Sequence, residues 1–220
     1  MKLLHWDKFL TPSMDAEACT QQILIDRYIT TSNRFEISPD RQTAFEICNQ
    51  LGYTPVEHHF GKNWVAYLQG EENFEVVVYL SPRGGHAGKE KILLPVSIAS
   101  SLYPDNLASR FITGCWGVST KILRLGIFQL TLKMTSKTSW KSNVDTTSIE
   151  VLDHKFLSQE EIQRDQFAGP IWSLDLIQGE SQQLAVDFNT SPGLDGIDLQ
   201  GLYLLDLIQD WFEKVGALND

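Results

Sequence analysis

Three oxygen-bearing side chains in the C-terminal part of the chain are spaced so that they can meet: Asp175, Asp187 and Asn189. Asp175 lies in Ile171-Trp-Ser-Leu-Asp175-Leu-Ile, and the other two lie in Ala185-Val-Asp187-Phe-Asn189. These apolar runs flank Gly179-Glu-Ser-Gln-Gln183, the pattern of two strands joined by a tight connection. Folding that ribbon about Ser181 sets Asp175 opposite Asp187, and the period-two alternation of strand side chains puts Asn189 on the same face. Such a cluster repels itself unless a cation or a hydrogen-bond donor sits among its members, and hard oxygen ligands suit Mg²⁺ carrying phosphates. The same residues, followed by Pro192-Gly193, also suit the plain end of a strand entering a turn.

A second group stands upstream, in Ser81-Pro-Arg-Gly84-Gly85-His-Ala-Gly88-Lys89. Gly84, Gly85 and Gly88 allow close backbone approach, so that exposed N–H groups cover phosphates while Arg83 or Lys89 supplies charge. It is not a Walker A loop, because three residues separate Gly84 from Gly88 and Glu90 stands where Ser or Thr is required. An ordinary hairpin connection between Phe74–Leu80 and Ile92–Val96 is the competing reading.

The elements that must position these groups follow from periodicity and caps. A helix is expected from about Asp15 to Tyr28. Another starts at Ser38-Pro39-Asp40, carries the stripe Ala44, Ile47, Cys48 and Leu51, and stops at Gly52. Tyr53–Val56 and Trp64–Leu68 read as short strands, and Ile122–Phe128 with Leu130–Met134 as a strand pair followed by a polar run, Thr135 to Asn143. Ser158-Gln-Glu-Glu161 has the form of a capping box, and its helix ends before Gly169-Pro170. Leu199 to Val215 carries Leu202, Leu205, Ile208 and Phe212 at helical intervals. Strands alternating with helices favour an α+β arrangement, antiparallel sheet with helices against it.

The whole-chain figures set bounds. At 220 residues and 24.9 kDa there is length for one domain or two closely packed subdomains. A formal charge of -10 without a compensating Lys/Arg block disfavours nucleic acid. No apolar run approaches a bilayer span and Asp7 interrupts any signal-type run, so the expected location is cytoplasmic, without membrane attachment. Cys19, Cys48 and Cys115 form neither a paired framework nor a zinc spacing and read as buried thiols. A hydrolase built on Cys115 and His154 has nothing in the sequence to join its parts, and His58-His59 would point to opposite faces of a strand.

The C-terminal motif resembles the closing signature of ATP-grasp ligases, particularly the branch containing the ribosomal-protein glutamate ligases. There an Asp is followed by Glu-x-Asn and then by Ser-Pro-Gly-Leu-x-Gly-Ile-Glu. This chain has Asp175, Asp187-Phe-Asn189 and Ser191-Pro-Gly-Leu-Asp-Gly-Ile-Asp198, with Asp187 in place of the glutamate. Farther upstream, Leu123-Arg124-Leu-Gly-Ile-Phe128 resembles the family's Ile-Arg-Val-Phe-Val-Val strand, and Trp140-Lys141-Ser-Asn143 resembles its Phe-Arg-Ser-Asn segment, with Lys133 at the interval of a phosphate-binding arginine. Asp40-Arg41, the following helix and Gly-Tyr-Thr-Pro55 resemble its Asp-Lys entry. The strand expected to carry a second lysine reads Val78-Tyr79-Leu80, and the hinge Glu-Phe-Ile reads Arg110-Phe111-Ile112. The likeness covers residues 39 to 215.

The resemblance implies an N-terminal segment at 1–38, an N-terminal ATP-grasp subdomain at 39–112, and a C-terminal one at 113–220 that carries the metal site, without most of the domain that usually precedes this core. It implies ATP and Mg²⁺ as cofactors, with Asp175, Asp187 and Asn189 holding the metal. Arg41, Gly84, Gly85, Gly88, Lys89 and Arg124 would contact nucleotide; Lys133, Lys141 and Asn143 would serve the transferred phosphate and the acceptor. The activity implied is a carboxylate–amine ligase that forms an amide or peptide bond through an acyl phosphate, acting on small-molecule or peptide carboxylates and amines. The alternative is a catalytically inactive ATP-grasp-like nucleotide-binding or interaction protein. The acceptor pocket is then either open in a single chain or closed by a second copy or a partner subunit.

Overall fold

The computed structural model describes residues 39–69, 74–82, 90–189, 192, 197, 199 and 201–216. The helix expected over 15–28, the positions Gly84, Gly85, Gly88 and Lys89, and most of the Ser191–Asp198 motif lie outside the described residues. Two antiparallel sheets form the frame. The first, in the order β1-β4-β2-β3, is built from His58–Phe60 (β1), Glu75–Tyr79 (β2), Lys91–Pro95 (β3) and Leu107–Arg110 (β4). The second, in the order β7-β6-β5-β8-β9, comprises Val118–Leu125 (β5), Phe128–Ser136 (β6), Thr146–Phe156 (β7), Ile171–Gln178 (β8) and Gln183–Asn189 (β9). Among the described residues there are four α-helices: Arg41–Gln50 (α1), Val96–Leu102 (α2), Gln159–Asp165 (α3) and Leu204–Lys214 (α4). None is long and apolar enough to cross a membrane.

The apolar run of β2 is buried on both faces, which explains why it does not alternate. Val76 and Val78 pack with Trp64, Val96 and Ala99, while Val77 and Tyr79 turn to the opposite side with Phe45, Val56 and Leu107. That second cluster continues into Trp140, Leu184 and Val186 and so joins the two sheets. In the second sheet, Ile122, Trp172, Leu174 and Leu176 meet Ala44 and Cys48 of α1 and its C-cap Leu51. The other face sets Leu123, Leu125, Leu130 and Leu132 against Leu207, Ile208, Trp211 and Phe212 of α4. Gly126 opens the two-residue turn between β5 and β6 with φ +59, and a Cβ there would run into the Leu207 carbonyl.

Several local expectations are revised. Asp40 is the N-cap of α1, accepting from the Thr43 N–H at 2.8 Å, so Pro39 precedes the helix. Trp64–Leu68 lies in a 3₁₀ helix over Gly61–Gln69, and Tyr53–Val56 contributes one bridge, Pro55 to Ala185. The Ser158–Glu161 capping box is present, with the Ser158 N–H donating to Glu161 at 2.9 Å and the Glu161 N–H to Ser158 at 3.2 Å.

Candidate functional site

The site lies where the clusters of the two sheets meet, in a cleft walled by Val77, Tyr79 and Lys91 on one side and by Asp175, Ile177, Val186 and Asp187 on the other. Its rim is formed by Arg110, Phe111 and Ile112 after β4 and by Trp140 to Asn143 after β6. Folding β8 and β9 together sets Asp175 directly opposite Asp187, and Ser173 opposite Asn189. The expected meeting is therefore present, although it arises differently. The turn pairs Gln178 with Gln183, and a one-residue slip between Asp175 and Leu176 restores the register that brings the acids together. Asn189 lies two residues beyond Asp187 and shares its face by strand alternation.

These acids do not sit beside each other uncompensated. Arg41, in the first turn of α1, pairs with Asp187 Oδ1. Lys91 Nζ lies 2.7 Å from Asp187 Oδ2, and Lys121 Nζ lies 2.6 Å from Asp175 Oδ1. The last contact is a charge pair without hydrogen-bond geometry, and it leaves a buried carboxylate oxygen with no hydrogen bond. Tyr79 forms a shelf beneath two of the cations: Arg41 Cζ is 5.1 Å and Lys91 Nζ 5.6 Å from its ring centre. The Tyr79 hydroxyl is within 3.0 Å of Ser109 Oγ and donates to the Val186 carbonyl at 3.4 Å, so the shelf is fixed to both sheets.

The charges shift one another as burial and crowding require. Burial, then the nearby Arg41 guanidinium, push Lys91 down to about 7, against the opposing pull of Asp175. Arg41 is lowered by burial, with Tyr79, Asp175 and Glu90 acting against that. Lys141, above the Trp140 ring at 5.1 Å, is lowered by burial as well.

Hard oxygen donors on facing strands fit a divalent cation, and Asp175, Asp187 and Asn189 are the residues that would hold magnesium. Among the described residues no third His, Cys, Asp or Glu joins the two acids.

Two expected site residues are placed elsewhere. Arg124 is 3% exposed on the α1 side of β5, where Nη2 reaches Asp165 Oδ2 at 3.0 Å and the guanidinium lies 4.9 Å from the Trp172 ring centre. Burial raises the Asp165 pKa, but hydrogen bonds from Arg164 and Arg124 outweigh it and hold that carboxyl below its ordinary value. Strand alternation is the reason Arg124 leaves the site: Lys121 faces the cleft, and a residue three positions along must face away. Lys133 is exposed and pairs across from Thr120, which puts it too on the face opposite Lys121. Lys141 and Asn143 do line the cleft, with Ser142 Oγ held 2.6 Å from Ser119 Oγ.

Lys91 and Lys121 were missed by sequence reasoning. For Lys91 a signal existed: symmetrical folding about position 85 pairs Tyr79 with Lys91, the register that β2 and β3 adopt. Lys121 required the β5–β8 register, a long-range pairing that no local pattern encodes.

Two antiparallel sheets closing on a charged cleft define an ATP-grasp fold, and this chain has it. It is similar to the macrocyclase MdnC from Microcystis aeruginosa MRC, solved with precursor peptide MdnA, with a TM-score of 0.51 and 11% identity over 94% of this chain and 72% of that one. It is similar also to the ATP-grasp ligase PsnB complexed with precursor peptide PsnA2 and AMPPNP, with a TM-score of 0.51 and 10% identity over 93% and 75% of the two chains. D-alanine--D-alanine ligase from Bacillus anthracis complexed with ATP superposes more loosely, at a TM-score of 0.47 with 12% identity, and 66% of its length is covered by 80% of this chain. The chain thus spans about two thirds to three quarters of the length of these proteins. No protein-family model and no curated protein matches the sequence.

Proposed function

We propose that the protein is an ATP-dependent carboxylate–amine ligase. The observation that carries this reading is the pair of apposed acids, Asp175 and Asp187, set among buried cations in a cleft between two antiparallel sheets. A polyanion entering there gives Arg41 and Lys121 oxygens to hold in place of the acids, and the released carboxylates become available to a metal. When bound, magnesium supplies charge neutralisation across the phosphates.

A substrate carboxylate oxygen attacks the γ-phosphorus, and the bond to the bridging oxygen breaks as ADP leaves. An amine then attacks the acyl carbon, inorganic phosphate departs, and the nitrogen gives up a proton as the amide forms. The protein's part is alignment and charge compensation. Arg41 and Lys121 grip phosphates, and Lys141 and Asn143 at the rim orient the acceptor. Val77, Phe111 and Ile112 take the base. Residues 39–112 and 113–220 act as the two jaws, and small-molecule or peptide carboxylates and amines are the substrates.

One observation favours a second reading, a nucleotide-binding or interaction protein without turnover: both oxygens of Asp187 are already engaged by cations. Two measurements separate the readings. Mg-ATP at about 100 times its Kd adds about 2.7 kcal/mol to folding stability wherever the chain binds nucleotide, with or without turnover. ADP release dependent on added carboxylate and amine, lost in Asp187→Ala and Asp175→Ala while both variants still melt cooperatively, belongs to the ligase alone. Absence of any ATP-dependent stabilisation defeats the ligase and favours an interaction protein.

A further inference from the structure

Lys91 has no role in the ligase reading above, and its surroundings give it one. Its ammonium lies inside the cleft on the Tyr79 ring, 2.7 Å from a carboxylate that Arg41 already neutralises. One cation suffices for Asp187. A second, with a side chain only 14% exposed, adds desolvation cost and repulsion from Arg41, so electroneutrality of Asp187 does not account for it. Lys121 and Lys141 add further positive field at the same point, with Asp175 as the opposing charge.

We propose that Lys91 is a polyphosphate-gripping residue, delivered by β3 across the ladder from Tyr79 and parked on Asp187 until an anionic ligand replaces that carboxylate. The position is set by the hairpin register, Tyr79 opposite Lys91. The aromatic ring fills the site on β2 and supports the ammonium reaching in from β3. Arg41 and Lys91 then form a two-pronged clamp over one ring, with their head groups converging on a single carboxylate. A chain of phosphates, with several oxygens along its length, satisfies both prongs better than one carboxylate does. This inference rests on the cleft being an anion site and requires neither turnover nor ATP as the particular ligand.

The test uses inorganic tripolyphosphate, ATP and adenosine as probes in calorimetric titrations of the full chain without metal. Lys91→Met is expected to weaken tripolyphosphate and ATP about 10- to 100-fold, the range of one charge-assisted hydrogen bond, and to leave adenosine within about twofold. Lys91→Arg should recover most of the loss. If Lys91→Met does not fold, Lys91→Met/Asp187→Asn removes the stranded carboxylate as well and gives the same comparison against Asp187→Asn alone. A purely structural lysine would lower all three ligands together or lower only the melting temperature, and either result overturns the proposal. So does unchanged tripolyphosphate affinity, or no tripolyphosphate binding by the wild type. Tripolyphosphate bound through Lys91 with no binding of ATP would sustain the clamp and defeat the ligase reading instead.

Discussion

Arg124 provides the sharpest test of how the second sheet assigns its charges. Replacing it with Met keeps an unbranched apolar chain over Trp172 and deletes the guanidinium, which lies 3.0 Å from Asp165 Oδ2 and 3.2 Å from Gln129 Oε1. Asp165, 4% exposed, is left with Arg164, whose Nε and Nη2 donate at 2.6 and 2.8 Å from a side chain that is 64% exposed. Breaking a buried pair outright costs about 3–5 kcal/mol, and the two surviving bonds from Arg164 hold back part of that, leaving about 2–3 kcal/mol. In a chain of this length each kcal/mol moves Tm by about 2–4 °C, so Arg124→Met should melt about 4–12 °C lower. Differential scanning calorimetry measures this, with Arg164→Ala as the reference; that exposed partner should cost below about 1 kcal/mol. Nucleotide affinity, read well below Tm, should not change, because Arg124 faces α1. A Tm within about 2 °C of wild type, or nucleotide affinity lost while the melt stays put, would refute the assignment.

Gly126→Ala should cost about 2 kcal/mol or more in chemical denaturation, because φ +59 and the Leu207 carbonyl both oppose a Cβ; Gly52→Ala, at φ +86 with no neighbour within 4 Å, should cost about 1–2 kcal/mol from backbone strain alone. Glu161 is held down to about 2 by the Lys155 ammonium and the Ser158 N–H. Its folded pKa is below its ordinary 4.5, so its contribution is full above pH 4.5 and fades as pH falls toward 2. The stability gap between wild type and Glu161→Gln, about 1 kcal/mol or less for so exposed a group, should close over that acid window in pH-resolved melts; a constant gap contradicts it. Burial pushes the Cys48 thiol up to about 12 with no exposed surface, whereas Cys115 is part-exposed at the cleft. Alkylation mapped by mass spectrometry should modify Cys115 in the native protein and spare Cys48 until unfolding, and equal rates would contradict the packing.

What the sequence disclosed divides by range. Caps and local periodicity were legible: Asp40 and the Ala44–Cys48–Leu51 stripe mark α1, Ser158 and Glu161 mark α3, and Ile208 and Phe212 lie on the buried face of α4, whereas Leu202 precedes the helix. The β8–β9 ribbon was legible because its two apolar runs sit on either side of Gly179. β4 was not, since Leu107-Ala-Ser-Arg110 is short and becomes a strand by pairing with both β1 and β2. β7 escaped for a related reason: its side chains from Ser148 to Phe156 are exposed or nearly so, leaving no burial pattern to read. In the site, the acids and Arg41 were found, and the two lysines beside them were not. A carboxylate pair announces itself by type and spacing, whereas Lys91 and Lys121 acquire meaning only from the strands beside them.

The slip in the ladder beside Asp187 separates two properties of a strand that usually vary together. Excising Val186 would let Ala185, Asp187, Phe188 and Asn189 alternate without interruption against Leu176, Asp175, Leu174 and Ser173, so the hydrogen-bonded scaffold has no need of that residue. The geometry of the floor does need it, because its carbonyl steadies Tyr79 and its side chain joins the apolar contact between the two sheets. Chain length at this point is therefore a functional variable in its own right. A lineage that shed one codon here would keep the register that pairs its acids and forfeit the carbonyl that steadies the ring beneath its cations.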